Sequence, residues 1–167
     1  MKFLRLVTSA LFVYMSTDGA AQQRLPSFEA HQVDDSFQGP GTAPITTGSK
    51  LGKMYRTRLR DGAKKGANFA GHFTLVAWGC GSSCQEWAIV DARTGQVFDW
   101  LLRSTAGAEF YPNSRLVILD SPKLVSEMFG GSIPASCAVC GTPSAYEWTG
   151  MEWRPLSGAD TARIRKY

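Results

Sequence analysis

"FAGHFTLVAWGCGSSCQEWAIVDARTGQVF", residues 69 to 98, decides the fold. From Phe73 the side chains alternate, with Phe73, Leu75 and Ala77 on one face and Thr74, Val76 and Trp78 on the other. That period of two is the signature of a β-strand. The pattern stops at Gly79 and resumes from Glu86 to Asp91, beyond the cysteine-bounded GCGSSC. Two antiparallel strands around a tight loop are predicted. "DARTGQVF" then predicts a second tight turn, with Gly95 suited to the left-handed conformation and a third strand from Val97 to Leu101.

Working outward, "AEFYPNSRLVILD" turns at Pro112-Asn113-Ser114 and predicts a strand from Arg115 to Leu119. "SAYEWTGMEWRPL" predicts a hairpin about Thr149-Gly150. On the N-terminal side, Leu51, Met54, Tyr55 and Leu59 recur at helical spacing, with Ser49 as N-cap and Gly62 as stop. Residues 22–48 carry three prolines and little periodicity, so an extended arm is predicted, with one short strand around Phe28 to Val33. The fold class is α+β, β-dominated: an antiparallel meander of five or six strands in one twisted sheet, covered by one helix. The turns of "VDARTGQVF" and "YPNSRLVIL" resemble those of a β-propeller blade, but no repeat of about 40 residues accompanies them.

Residues 1–21 pair Lys2 and Arg5 with an apolar run from Leu6 to Met15 and small residues at Gly19 and Ala21. This is the layout of a secretory signal peptide, with an apolar run too short to span a bilayer. The expected organisation is leader 1–21, arm 22–48 and one β-rich domain over 49–167. Without the leader the chain has 16 basic and 13 acidic residues, from 18 and 14 less Lys2, Arg5 and Asp18. The basic excess lies between Lys50 and Lys65, where seven Lys or Arg face Asp61 alone. Such a run reads as a solvated helix face or as a patch for an anionic partner. Export disfavours nucleic acid as that partner.

Four cysteines in an exported chain point to disulfides. Cys80, Cys84, Cys137 and Cys140 permit three pairings. Two crossed bridges would constrain more of the unfolded chain than two local ones. In a reducing compartment the same set would suit tetrahedral zinc, which oxidation opposes here. The CAVC pair sits among Gly, Pro and Ser with no helix behind it, so a loop clasp fits better than thiol–disulfide exchange. No cofactor and no metal are expected.

The blocks Asn68–His72, Trp78–Cys84 and Val90–Gly95 resemble a poorly characterised family of small exported Gram-negative proteins with an NFAGHxT…WGCGxxC…VDxxTG core. The resemblance implies export, and it treats the GCGxxC cysteines as a unit. It thereby favours Cys80 with Cys84 and Cys137 with Cys140.

For chemistry, a Cys–His nucleophile needs a free thiol beside an imidazole. Yet His72 and Cys80 lie eight residues apart on an extended segment, roughly 26 Å. Glu86, Asp91, Asp99 and Glu109 lie on or near strands, and Asp91 has a turn to cap before Thr94-Gly95. No GxSxG, HExxH or phosphate-binding glycine loop occurs. What remains is a binding module. A clamped loop with Ser82 and Ser83, flanked by Trp78, Gln85, Glu86 and Trp87 and with His72 at the strand start, is pre-organised for a partner. The expected function is a periplasmic or secreted, non-enzymatic inhibitor or immunity protein, its partner a peptidoglycan hydrolase of lysozyme or amidase type. The alternatives are an exported hydrolase using His72 or Glu86, and a structural envelope protein. No membrane span is expected.

Overall fold

In the computed structural model, which describes residues 24–137, 140–156 and 158–167, the decisive stretch is a three-stranded antiparallel ladder. The leader expected over residues 1–21 lies outside the described residues. Two helices, α1 (Lys50–Met54) and α2 (Arg56–Ala63), precede β1 (Phe73–Gly81), β2 (Cys84–Asp91) and β3 (Val97–Ser104). There follow β4 (Ala108–Glu109), β5 (Leu116–Leu119), α3 (Pro122–Met128), β6 (Ser144–Trp148) and β7 (Trp153–Pro155). The last strand, β8 (Ile164–Lys166), returns to pair with β3.

The class is as predicted, β-dominated α+β with antiparallel pairing throughout the ladders, but the described residues form eight strands in two sheets. Their orders are β1-β2-β3-β8 and β4-β5-β6-β7. The reason is visible in β2, whose run Trp87-Ala88-Ile89-Val90 is apolar on both faces, so both faces need cover. One face sets Phe73, Leu75, Trp87 and Ile89 against Val117, Leu119, Tyr146 and Trp148 of the second sheet. The other sets Val76, Trp78, Ala88 and Val90 under Leu51 and Leu59 of the helices. Helices, first sheet and second sheet are thus three layers. The outer side of the second sheet, through Leu116, Ile118 and Ala145, packs against Phe28 of the arm and Leu156.

Ser49 caps α1 as expected, its hydroxyl oxygen accepting from the Gly52 N–H at 2.8 Å. The predicted single helix breaks at Tyr55, where φ is −116° and ψ 27°. Leu51 and Leu59 are fully buried, whereas Met54 is 57% exposed, so the inward stripe omits it. Gly62 is not the stop. A Cβ there would lie 2.3 Å from Val76 Cγ1, and its absence lets α2 settle onto β1. The short strand expected at Phe28–Val33 is a 3-10 turn over Phe28–His31 with an isolated bridge from Gln32 to Ser114. The seven residues of α3 bury only Val125, too little periodicity to read from sequence, although Ser121 caps it and Pro122 opens it.

Candidate functional site

The β1–β2 hairpin ends in a two-residue connection. Gly81 pairs with Cys84, leaving Ser82 and Ser83 to turn the chain. Within the turn Ser83 takes a positive φ of 49°, and Gly81, just before it, one of 135°. The register slips between Gly79 and Gly81, a bulge that twists the tip. Cys80 and Cys84 close the loop as a disulfide with Cα atoms 5.1 Å apart. Residues 79–83 are all exposed, and a Cβ built on Gly79 or Gly81 meets nothing within 4 Å. The tip therefore stands clear of the body. At its base, Arg58 Nη1 donates to the Gly79 carbonyl at 3.2 Å, its guanidinium 5.8 Å from the Trp78 ring. An open hollow of about 430 Å³ lies beside it, bounded by Ala77, Ser83, Gln85 and Thr105.

The residues expected to face a partner divide sharply. Ser82 and Ser83 are exposed at the tip and Gln85 is half-buried at its base. Trp78, Glu86 and Trp87 are buried, at 8%, 4% and 8% exposure, and form the foundation instead. Trp78 stacks on Tyr55 at 4.6 Å between centroids, and its indole N–H donates to Glu86 Oε2 at 2.9 Å. Arg103 Nη2 donates to Glu86 Oε1 at 2.7 Å. Trp87 faces the second sheet and donates to Ser104 Oγ at 2.8 Å. Burial alone would raise the Glu86 carboxyl, but the Arg103 guanidinium and the Trp78 indole outweigh it and hold it below its ordinary value. Burial pushes the Tyr55 hydroxyl up to about 12, with Tyr167 and the Glu86 charge adding to the effect. An ionised carboxylate with both oxygens engaged is poorly placed for proton transfer.

His72 does other work. Its Nδ1 meets Asp35 Oδ2, and Arg93 Nη2 donates to Asp35 Oδ1. Its Nε2 lies 3.9 Å from Asp91 Oδ2. The Asp35 carboxyl is lowered by the Arg93 hydrogen bond first and the His72 contact second. His72 thus ties the arm to the start of β1. Glu86 lies opposite Trp78, six residues along β1 from His72, so the two are roughly 20 Å apart and share no site. Asp91 caps its turn as expected, its Oδ1 accepting from the Arg93 and Thr94 N–H groups at 2.7 and 3.1 Å.

Two charged residues unremarked in the sequence, Glu147 and Asp120, organise the rest. Glu147, 4% exposed, meets His31 Nδ1 and Arg115 Nε, each at 3.2 Å, as well as Arg154. Both histidines therefore clasp the arm to the body. Asp120, fully buried, accepts from the backbone N–H groups of Thr105 (2.9 Å), Ala106 (2.6 Å) and Gly107 (3.3 Å) and from Arg163 Nη1 (2.6 Å). It fixes the loop beside the hairpin tip. Such pairs join residues far apart in the chain, and no local spacing announces them.

Cys137 and Cys140 form the second disulfide, with Cα atoms 5.4 Å apart, so both bridges are the local ones the resemblance implies. All four sulfurs are engaged, and the zinc set considered from sequence is not assembled. Among the described residues, no cluster of three or more His, Cys, Asp or Glu could hold a metal ion. Glu109 pairs with Lys123 at 3.4 Å, whereas Glu86 is engaged by Trp78 and Arg103, so the two carboxylates have separate partners. No helix among the described residues is long and apolar enough to cross a membrane. No family model, curated protein or solved structure matches this chain.

Proposed function

We propose that this is an exported, non-enzymatic binding protein that presents the β1–β2 hairpin tip to a protein partner, as an inhibitor or immunity protein against a cell-wall-active enzyme. The observation that carries the reading is the tip itself: residues 79–83 exposed, cross-linked by Cys80–Cys84, and with open space on the side where a Cβ at Gly79 or Gly81 would stand. A tip already ordered loses little conformational entropy on docking, and a narrow projection suits the concave cleft of an enzyme. Trp78, Glu86 and Trp87 serve it from beneath by fixing its angle. The leader-like N-terminus and the motif resemblance to small exported proteins support the periplasmic or secreted location.

The test sets the oxidised protein against a muramidase and an amidase, with Ser82→Arg/Ser83→Arg as comparison. Both serines are exposed, so the double variant keeps its fold. Inhibition by the parent that the double variant loses supports the reading. Equal inhibition by both, or none by either, overturns it.

A further inference from the structure

The positive charge of this protein is concentrated on one face. Residues 50–65 hold seven Lys and Arg against Asp61, a net of +6, whereas the whole chain carries +4. The remainder of the chain therefore nets −2, from +4 less +6. α1 and α2 turn Leu51, Leu59 and Ala63 inward and leave all seven cations exposed. At about 100° per residue, Arg58 and Arg60 lie to either side of Leu59 on α2, and Lys64 and Lys65 follow directly after its last turn.

Little carboxylate on this side offsets that field. Asp61 is paired with Lys64 at 3.0 Å and contributes the single negative charge of the segment. Asp99 accepts from Ser49 Oγ at 2.6 Å and the Leu51 N–H at 2.9 Å, under α1. Glu86 is buried against Arg103 and Trp78. Among the cations Met54 stands 57% exposed, the one large apolar side chain of α1 directed outward.

We infer that this face docks the protein on an anionic phospholipid bilayer. The two helices lie as the outer layer on the first sheet, so their cations reach a flat surface together. A cationic helical face with an apolar side chain among its charges is the composition of an interfacial helix. Headgroup phosphates take the Lys and Arg side chains, and Met54 enters the boundary between headgroups and acyl chains. With +6 on this segment and −2 over the rest of the chain, the charge asymmetry also orients the molecule. Arg58, at one end of the face, holds the base of the β1–β2 tip, which docking would bring alongside the surface.

The test is co-sedimentation of the full chain with vesicles of equimolar phosphatidylglycerol and phosphatidylcholine, against phosphatidylcholine alone. Binding to the neutral vesicles measures any contribution of the apolar N-terminal run. The expected result is at least tenfold tighter binding to the anionic vesicles, abolished near 1 M salt, where the screening length is about 3 Å. Lys53→Gln/Arg60→Gln/Lys65→Gln, with all three positions exposed, should weaken it by roughly a hundredfold. The salt titration of the unaltered protein decides the matter even if the variant folds poorly. Equal binding to both vesicle types, salt-insensitive binding, or preference for duplex DNA over anionic vesicles overturns the inference. None of these readouts involves a hydrolase, so this result and that of the inhibition test stand apart.

Discussion

Replacing Asp120 by Asn removes one charge and keeps the shape. Asp120 sits at φ 49°, and Asn tolerates that left-handed conformation as Asp does, so the exchange adds no backbone strain. The remaining carbonyl oxygen can still accept from Thr105, Ala106 and Gly107, now without charge assistance. The new amide N–H₂ faces Arg163 Nη1, a donor against a donor, where Oδ2 accepted at 2.6 Å. Arg163 is 14% exposed and keeps Asp160 at 3.6 Å, so its charge is only partly compensated. Breaking a buried pair from one side costs about 3–5 kcal/mol, and the residual Asp160 contact places this case near 3. For a domain of this size that lowers Tm by roughly 10 °C. The assay is urea denaturation of Asp120→Asn, Arg163→Met and the double variant. Coupling requires the double variant to lose clearly less than the sum of the singles. Strict additivity, or a loss below about 1 kcal/mol for Asp120→Asn, would refute the assignment of Asp120 as the node under the tip-side loop.

Gly62→Ala, which stabilises an ordinary exposed helix, should here destabilise by about 1–3 kcal/mol, because the new methyl would lie 2.3 Å from Val76 Cγ1. A raised melting temperature would show that α2 does not sit this close to β1. Cys80→Ser/Cys84→Ser opens a short loop and should cost about 2 kcal/mol by the loop-entropy relation. Its amide exchange should quicken at residues 80–84 while the β2–β3 ladder stays protected, and uniform acceleration across the first sheet would count against a local clasp. Acid should destabilise through Glu86 and Glu147. Burial opposes their ionisation, but Arg103 for the first, and Arg154 with His31 for the second, hold both below 4.5. The folded state binds fewer protons there than the unfolded one, so this stabilisation is complete above about 4.5 and drains as pH falls through the folded values. A urea midpoint unchanged on acidification well below pH 4 would contradict those pairings.

The hairpins were legible because their signals are local. Gly95 in the turn after Asp91, Thr149-Gly150 between two tryptophan-bearing strands, and Ser49 ahead of Leu51 each specify a conformation within a few residues. The second sheet was not so legible, although a clue was present: four consecutive apolar residues, Trp87 to Val90, cannot belong to a strand with one wet face. The expected contact residues divide for the same reason. Trp78, Glu86 and Trp87 flank the GCGSSC loop in sequence, but the pleat turns each of them toward a covered face.

By itself the sequence determined the strand periods, the turn positions, the helix cap and the four cysteines from which the clasps form, because each depends on neighbours within one turn or one hairpin. Only the tertiary structure decided which faces are covered, that Glu86 and Glu147 are buried and ion-paired, and that His31 and His72 fasten the arm. Those outcomes depend on contacts between residues tens of positions apart. A period of two states that a strand has two faces; what lies against each face is settled only when the layers meet.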